Sequence, residues 1–128
     1  MSIRIVKHES VEGFLSRAHP WLLELEAENN LILGIAGDLA RSGKNDPATL
    51  LVTIEFDGYV VGCAFRTPPY KLGLTRMPLK GVPPLVDVVT EAYDGLPGVL
   101  GPREEARYFS RIWCGPRALS FRPAMDQR

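Results

Sequence analysis

Few residues in this chain of 128 are suited to chemistry, and their spacing excludes the common catalytic machines. There is no G-x-x-x-x-G-K-[ST] phosphate loop, no H-E-x-x-H zinc helix and no G-x-S-x-G nucleophile elbow. His8 and His19 stand at element ends with no carboxylate spaced to orient either ring. Cys63 lies in the apolar run Val60-Val61-Gly62-Cys63-Ala64-Phe65 and reads as a small buried hydrophobe. Cys114 precedes a glycine and has no nearby base in sequence to make a thiolate. Neither the cysteines nor the histidines have metal-ligand spacing. What remains is suited to binding. Arg66-Thr67-Pro68-Pro69-Tyr70 sets a cation, a hydroxyl and an aromatic ring at one strand end. That is either the mouth of a site for an anionic or polar ligand, or a strand terminator with a solvated arginine. Asn29 falls on the apolar stripe of a helical pattern. Either the helix breaks there, as capping asparagines favour, or the amide lines a ligand cleft.

The elements that must position these groups follow from pattern and punctuation. Ile3 and Ile5 alternate with Arg4 and Val6, a short strand. Ser10 is the expected N-cap of a helix with Val11, Phe14, Leu15 and Ala18 on one face, and His19-Pro20 is expected to end it. A second helical pattern covers 21–41, with Leu22, Leu25, Ile32, Ala36 and Leu39 as its stripe. A loop at 42–47 precedes two β-rich runs joined by Asp57-Gly58, the signature of a hairpin with a type I′ turn. A short strand within 70–75 follows. Pro83-Pro84 opens a helix with Leu85, Val88, Val89, Ala92 and Tyr93 inward. Residues 96–100 form another short strand. Pro102 starts a last helix with Ala106, Phe109 and Trp113 inward, stopped by Cys114-Gly115-Pro116. The expected fold class is α/β: an antiparallel hairpin plus a later β-α-β unit in one mixed sheet, flanked by helices.

Composition narrows the functions. Lys plus Arg is 15 and Asp plus Glu is 15, so the chain has no basic excess to hold a nucleic acid. No apolar run reaches the ~18 residues of a membrane span. The N-terminus lacks the apolar stretch and cleavage site of a signal peptide, so a reducing cytoplasmic setting is the expectation.

In order along the chain stand Glu28-Asn29-Asn30-Leu31-Ile32-Leu33-Gly34-Ile35, Asp57-Gly58 with Val60-Val61-Gly62, Arg66-Thr67-Pro68-Pro69, Leu96-Pro97-Gly98-Val99-Leu100-Gly101-Pro102, and Phe109 with Trp113. This ordered set resembles the N-terminal half of bacterial GNAT-superfamily N-acetyltransferases about twice as long, in a tandem layout similar to mycothiol synthase-like enzymes. The resemblance covers about 14–115. It implies a GNAT-like domain over 1–116 and a connector or tail over 117–128. It also implies acetyl-CoA as the family's cofactor. Its diphosphate would rest on a [QR]-x-x-G-x-[GA] turn after the fourth strand, where glycines admit the phosphates and a helix N-terminus faces them.

Here that place reads Arg76-Met77-Pro78-Leu79-Lys80-Gly81. Arg76 and Gly81 match the outer positions, and Lys80 supplies charge. Leu79 stands where the first glycine belongs, and Pro78, Pro83 and Pro84 remove amide donors. The turn therefore reads as lapsed. The family's general acid, a tyrosine on the last helix, corresponds to Ser110; Tyr108, two residues earlier, points elsewhere. Glu55 is a candidate base. The resemblance then implies a non-catalytic half that shapes an acceptor cleft with Asn30, Arg66 and Thr67. Its partner would be a missing C-terminal catalytic half, or another copy of itself. The alternatives are a minimal active N-acetyltransferase using Arg76, Lys80 and Gly81, or a dimerisation module. No metal and no membrane or nucleic-acid partner is expected.

Overall fold

The computed structural model describes residues 3–42 and 48–115. The expected tail at 117–128 and most of the loop expected at 42–47 lie outside the described residues. The element order is β1 (Ile3–Lys7), α1 (Val11–Glu24), α2 (Asn30–Ser42), β2 (Leu50–Phe56), β3 (Tyr59–Arg66), β4 (Leu72–Leu74), a 3-10 turn (Leu79–Gly81), α3 (Val82–Ala92), β5 (Val99–Leu100) and α4 (Arg103–Cys114). This is a mixed α/β fold with one mixed sheet. The strands lie in sequence order across it; every neighbouring pair is antiparallel except β4 with β5.

The sheet is covered on both faces, and β2 shows why. Leu50, Val52 and Ile54 face one way and pack with Leu85, Val89, Phe109 and Trp113 of α3 and α4. Leu51 faces the other way, with Phe14, Ala18 and Leu22 of α1 and Ile32 and Ala36 of α2. The period-two alternation of a strand thus feeds two separate cores. At the Asp57-Gly58 turn both residues have positive φ, 54° and 85°, as a type I′ turn requires. Ser10 caps α1 by accepting the Gly13 amide at 3.0 Å.

Two expectations fail at α1. Helix α1 does not stop at His19-Pro20 but continues to Glu24, and no helix runs unbroken over 21–41. Phe14, Ala18 and Leu22, four residues apart and each fully buried, form one stripe across the proline. Pro20 and Ser16, whose carbonyl loses its donor, are both exposed, so water can satisfy that carbonyl. Burial of Leu22 thereby overrides the local rule. The chain instead breaks at 25–29, and α2 starts at Asn30. On α3, Leu85 and Val89 are buried and Val88 and Tyr93 pack against the core as expected; Val86 is buried in addition, and Ala92 is exposed.

Candidate functional site

β4 and β5 pair only at Leu72↔Val99 and Gly73↔Leu100. Beyond them the two chains part, and a cleft of about 350 Å³ opens between the end of β4, the start of α2 and the segment entering α4. Its walls are Leu31, Ile32, Phe65, Leu74, Leu100 and Pro102, so it is mainly apolar. Close approach sets its floor. A Cβ on Gly101 would stand 2.8 Å from the Leu74 carbonyl oxygen, and one on Gly73 would meet the Phe65 ring at 2.2 Å.

The cleft's polar groups are Glu28, Asn29, Thr75 and Arg76. Arg76 and Glu28 form a two-pronged ion pair at the rim, Nε to Oε1 at 3.1 Å and Nη2 to Oε2 at 2.8 Å. Hydrogen bonding and charge from Glu28 hold the guanidinium above its ordinary pKa. Asn29 is buried and donates from Nδ2 to the Leu22 carbonyl at 3.1 Å. It does both things the sequence posed as alternatives: it secures the helix break and lines the cleft. The Thr75 hydroxyl accepts the Cys63 amide at 2.8 Å and lies 2.9 Å from the Arg76 carbonyl. It is committed to the backbone. No side chain lining the cleft is a cysteine, histidine or tyrosine.

The expected site residues do not converge. Asn30 is exposed on the first turn of α2 and does not line the cleft; its neighbour Asn29 does. Arg66 is buried, donates from Nε to the Tyr70 carbonyl at 2.8 Å and lies 4.4 Å above the Tyr93 ring. The Thr67 carbonyl accepts the Tyr70 amide at 3.0 Å. Both residues fasten the turn after β3, away from the cleft. Arg76 reaches the cleft, but Lys80 sits over the Phe56 ring at 4.5 Å and Gly81 is buried. A Cβ at Gly81 would meet Ile54 Cγ2 at 3.1 Å, so this glycine lets the start of α3 approach the sheet.

The turn before α3 has little left to offer an anion. The Met77 amide donates to the buried Glu105 carboxylate at 3.3 Å, and the Gly81 amide to Pro78 at 2.9 Å. The Val82 amide donates to Leu79. With Pro78, Pro83 and Pro84 lacking amides, at most those of Leu79 and Lys80 remain over 77–84. Ser110 is buried within α4 and Tyr108 lines a separate groove, so neither reaches the cleft.

Sequence reasoning missed a partly buried polar chain on the α1 side of the sheet. His8 Nε2 lies 3.0 Å from the Thr53 hydroxyl, which donates to Glu55 Oε2 at 2.8 Å. Arg17 grips the same carboxylate from Nε and Nη2 at 3.1 and 3.2 Å, and also donates to the Gly58 carbonyl. Burial pushes the Glu55 carboxyl up. Hydrogen bonds from Arg17 and Thr53, with the charges of Arg17 and Arg4, outweigh it and hold the group below its ordinary value. Burial likewise lowers the His8 pKa, against the pull of Glu55. An ionised, fully gripped carboxylate is a poor base, which removes Glu55 as a candidate for that role. The sequence signal for part of it was the two-residue spacing of Thr53 and Glu55, which on a strand sets both on one face. Cys63 is buried and burial raises its thiol pKa. Among the described residues no cluster of three or more His, Cys, Asp or Glu is arranged to hold a metal. No helix among them is long and apolar enough to cross a membrane. The chain matches no family model, no curated protein and no solved structure.

Proposed function

We propose that this chain is an acetyltransferase-related domain without catalysis of its own, the half that shapes the acceptor cleft of a GNAT-type N-acetyltransferase. The observation that carries this reading is the parallel β4–β5 pair, which separates after two residues into an apolar cleft bounded by α2. The succession of strands and helices, with that pair at the far side of an otherwise antiparallel sheet, supports the family resemblance.

The cleft and the neighbouring turn lack the groups that acyl transfer would use. Acyl transfer to an amine needs a base for the incoming amine and an acid for the leaving thiolate. The cleft's one carboxylate, Glu28, is paired with Arg76. The turn at 76–81 does not fit the diphosphate of acetyl-CoA. Three of its neighbouring positions are prolines, three amides are spent inside the fold, and Glu105 already brings a carboxylate to Met77. A diphosphate there would lose donors and meet like charge. What the domain contributes is shape: an apolar wall and one paired rim charge.

Titration calorimetry of the full chain with acetyl-CoA tests the reading, alongside a turnover assay over a panel of amines. No heat at micromolar concentrations and no acetylated product are expected. Micromolar affinity or turnover would overturn it.

A further inference from the structure

The cleft beside β4 contains one polar atom that the fold does not use. Asn29 is only 3% exposed, and its Nδ2 is spent on the Leu22 carbonyl. That bond fixes the amide and leaves Oδ1 without a partner among the described residues. No fully buried side-chain nitrogen or oxygen among them lacks a partner, so Oδ1 is reachable from outside, and Asn29 lines the cleft. An acceptor held ready in this way calls for an N–H or O–H donor. The only charged groups lining the same cleft are Glu28 and Arg76, which face each other at its rim. Both are exposed, so their pair adds little to stability.

Toward a ligand, that pair acts as a filter. A lone cation would meet Arg76, and a lone anion would meet Glu28. A molecule that carries both charges side by side matches both, and exchanges one solvated pair for two. The walls around the pair are apolar, and two of them, Leu31 at 57% and Leu100 at 40% exposed, gain from being covered. The cleft's 350 Å³ suits a small molecule, since such sites run from about 300 to 1,000 Å³. We propose that the cleft binds an apolar α-amino acid. Its carboxylate pairs with Arg76, its ammonium pairs with Glu28 and donates to Asn29 Oδ1, and its side chain lies against Leu31, Phe65 and Leu100. Only the free amino acid carries both charges on one carbon, so a residue inside a peptide fits less well. Calling this ligand the acceptor rests on the acetyltransferase reading; its binding rests on the cleft alone.

Titration of the isotopically labelled full chain with L-leucine, followed by nuclear magnetic resonance, tests it. The signals of the Asn29 side-chain amide, Leu31 and Leu100 should move together and saturate. Leucinamide lacks the carboxylate and N-acetylleucine lacks the ammonium; each should bind about tenfold or more weakly than leucine. Glycine, with no side chain to bury, should also bind about tenfold or more weakly. Arg76→Gln should erase the preference over leucinamide, and Glu28→Gln the preference over N-acetylleucine. Both positions are exposed, and circular dichroism checks that each variant keeps its fold. The ligand series on the unaltered chain decides the matter even where a variant fails to fold. No shift in the cleft up to the solubility limit of leucine overturns the inference. So does equal binding of leucine, leucinamide and N-acetylleucine, the mark of an apolar slot without a charge filter. Acetyl-CoA is titrated separately: its binding overturns the non-catalytic reading and leaves the leucine result standing, whereas a failure of leucine leaves that reading standing.

Discussion

Thr53 offers a test of how the partly buried polar chain on the α1 side is held. Its side chain is fully buried, and its hydroxyl serves two partners, receiving from His8 and donating to Glu55. Thr53→Val keeps the shape and removes both contacts. The bond to an ionised carboxylate is the larger loss, about 1.5–3 kcal/mol. The His8 end costs less, since that ring is only half-buried and can reach water. The added methyl returns about 0.8 kcal/mol. The expected net cost at pH 7 is then about 1–2 kcal/mol. Thr53→Ser keeps the hydroxyl and loses one buried methyl, about 1 kcal/mol. At neutral pH the two variants look alike, and acid separates them.

The folded protein holds Glu55 below its ordinary value, so it binds that proton more weakly than the unfolded chain does. The resulting stability is complete above the unfolded value near 4.5 and is lost as pH falls through the lower folded one. Thr53→Val removes one of the bonds that lower the folded value. It therefore has less to lose in acid, and its gap from the parent protein should shrink below about pH 4.5. The Thr53→Ser gap should stay level. His8, lowered by burial, also loses stability as pH falls, but it titrates in all three proteins. Urea unfolding followed by circular dichroism from pH 7 to pH 3.5 reads these gaps directly. A Thr53→Val gap that holds constant or widens in acid would refute the claim that the hydroxyl works through the ionised carboxylate.

Two glycines should respond in opposite directions to the same change. Gly62→Ala would set a Cβ 2.6 Å from Met77 Cβ, so it should cost about 1–3 kcal/mol in a thermal melt. Gly34→Ala meets nothing within 4 Å on a helix, so it should add about 0.5–1 kcal/mol. In a Cys114→Ser variant, Cys63 should resist a thiol reagent at pH 8 until the chain unfolds, because burial both shields it and raises its pKa; prompt labelling of the native protein would show that the strand opens.

The succession of elements was legible because each has a local cause. Ser10 caps, Asp57-Gly58 turns, and Pro83-Pro84 opens a helix at positions that need no missing amide. The errors came where a distant contact decides. Pro20 carries a strong local stop signal, yet the stripe ending at Leu22 keeps the helix going. Arg66 has a short-range look of solvation, but its partner ring, Tyr93, comes from the end of α3. Arg76 meets Glu28 across 48 positions, and His8 meets Thr53 across 45. No spacing rule reports such pairs. Asn30, expected in the cleft, is exposed on the first turn of α2, while Asn29, the last residue of the helix break, lines the cleft.

Gly81 shows why a motif position is weak grounds for a cofactor. Read as a phosphate turn, it is the residue that admits a diphosphate; read in place, it admits the Ile54 side chain. Packing alone accounts for this glycine. The cleft is in the same position. Its opening follows from the shortness of β4 and β5 and from the close approach of Gly101 to Leu74, none of which needs a bound molecule. The shape of the cleft and the donors of the turn are thus set by different residues. Leu79 bears on the second and does not line the cleft. On the acetyltransferase reading proposed above, a diphosphate at this turn would need more than a glycine at 79: Pro78 supplies no amide, and the Met77 amide is held by Glu105.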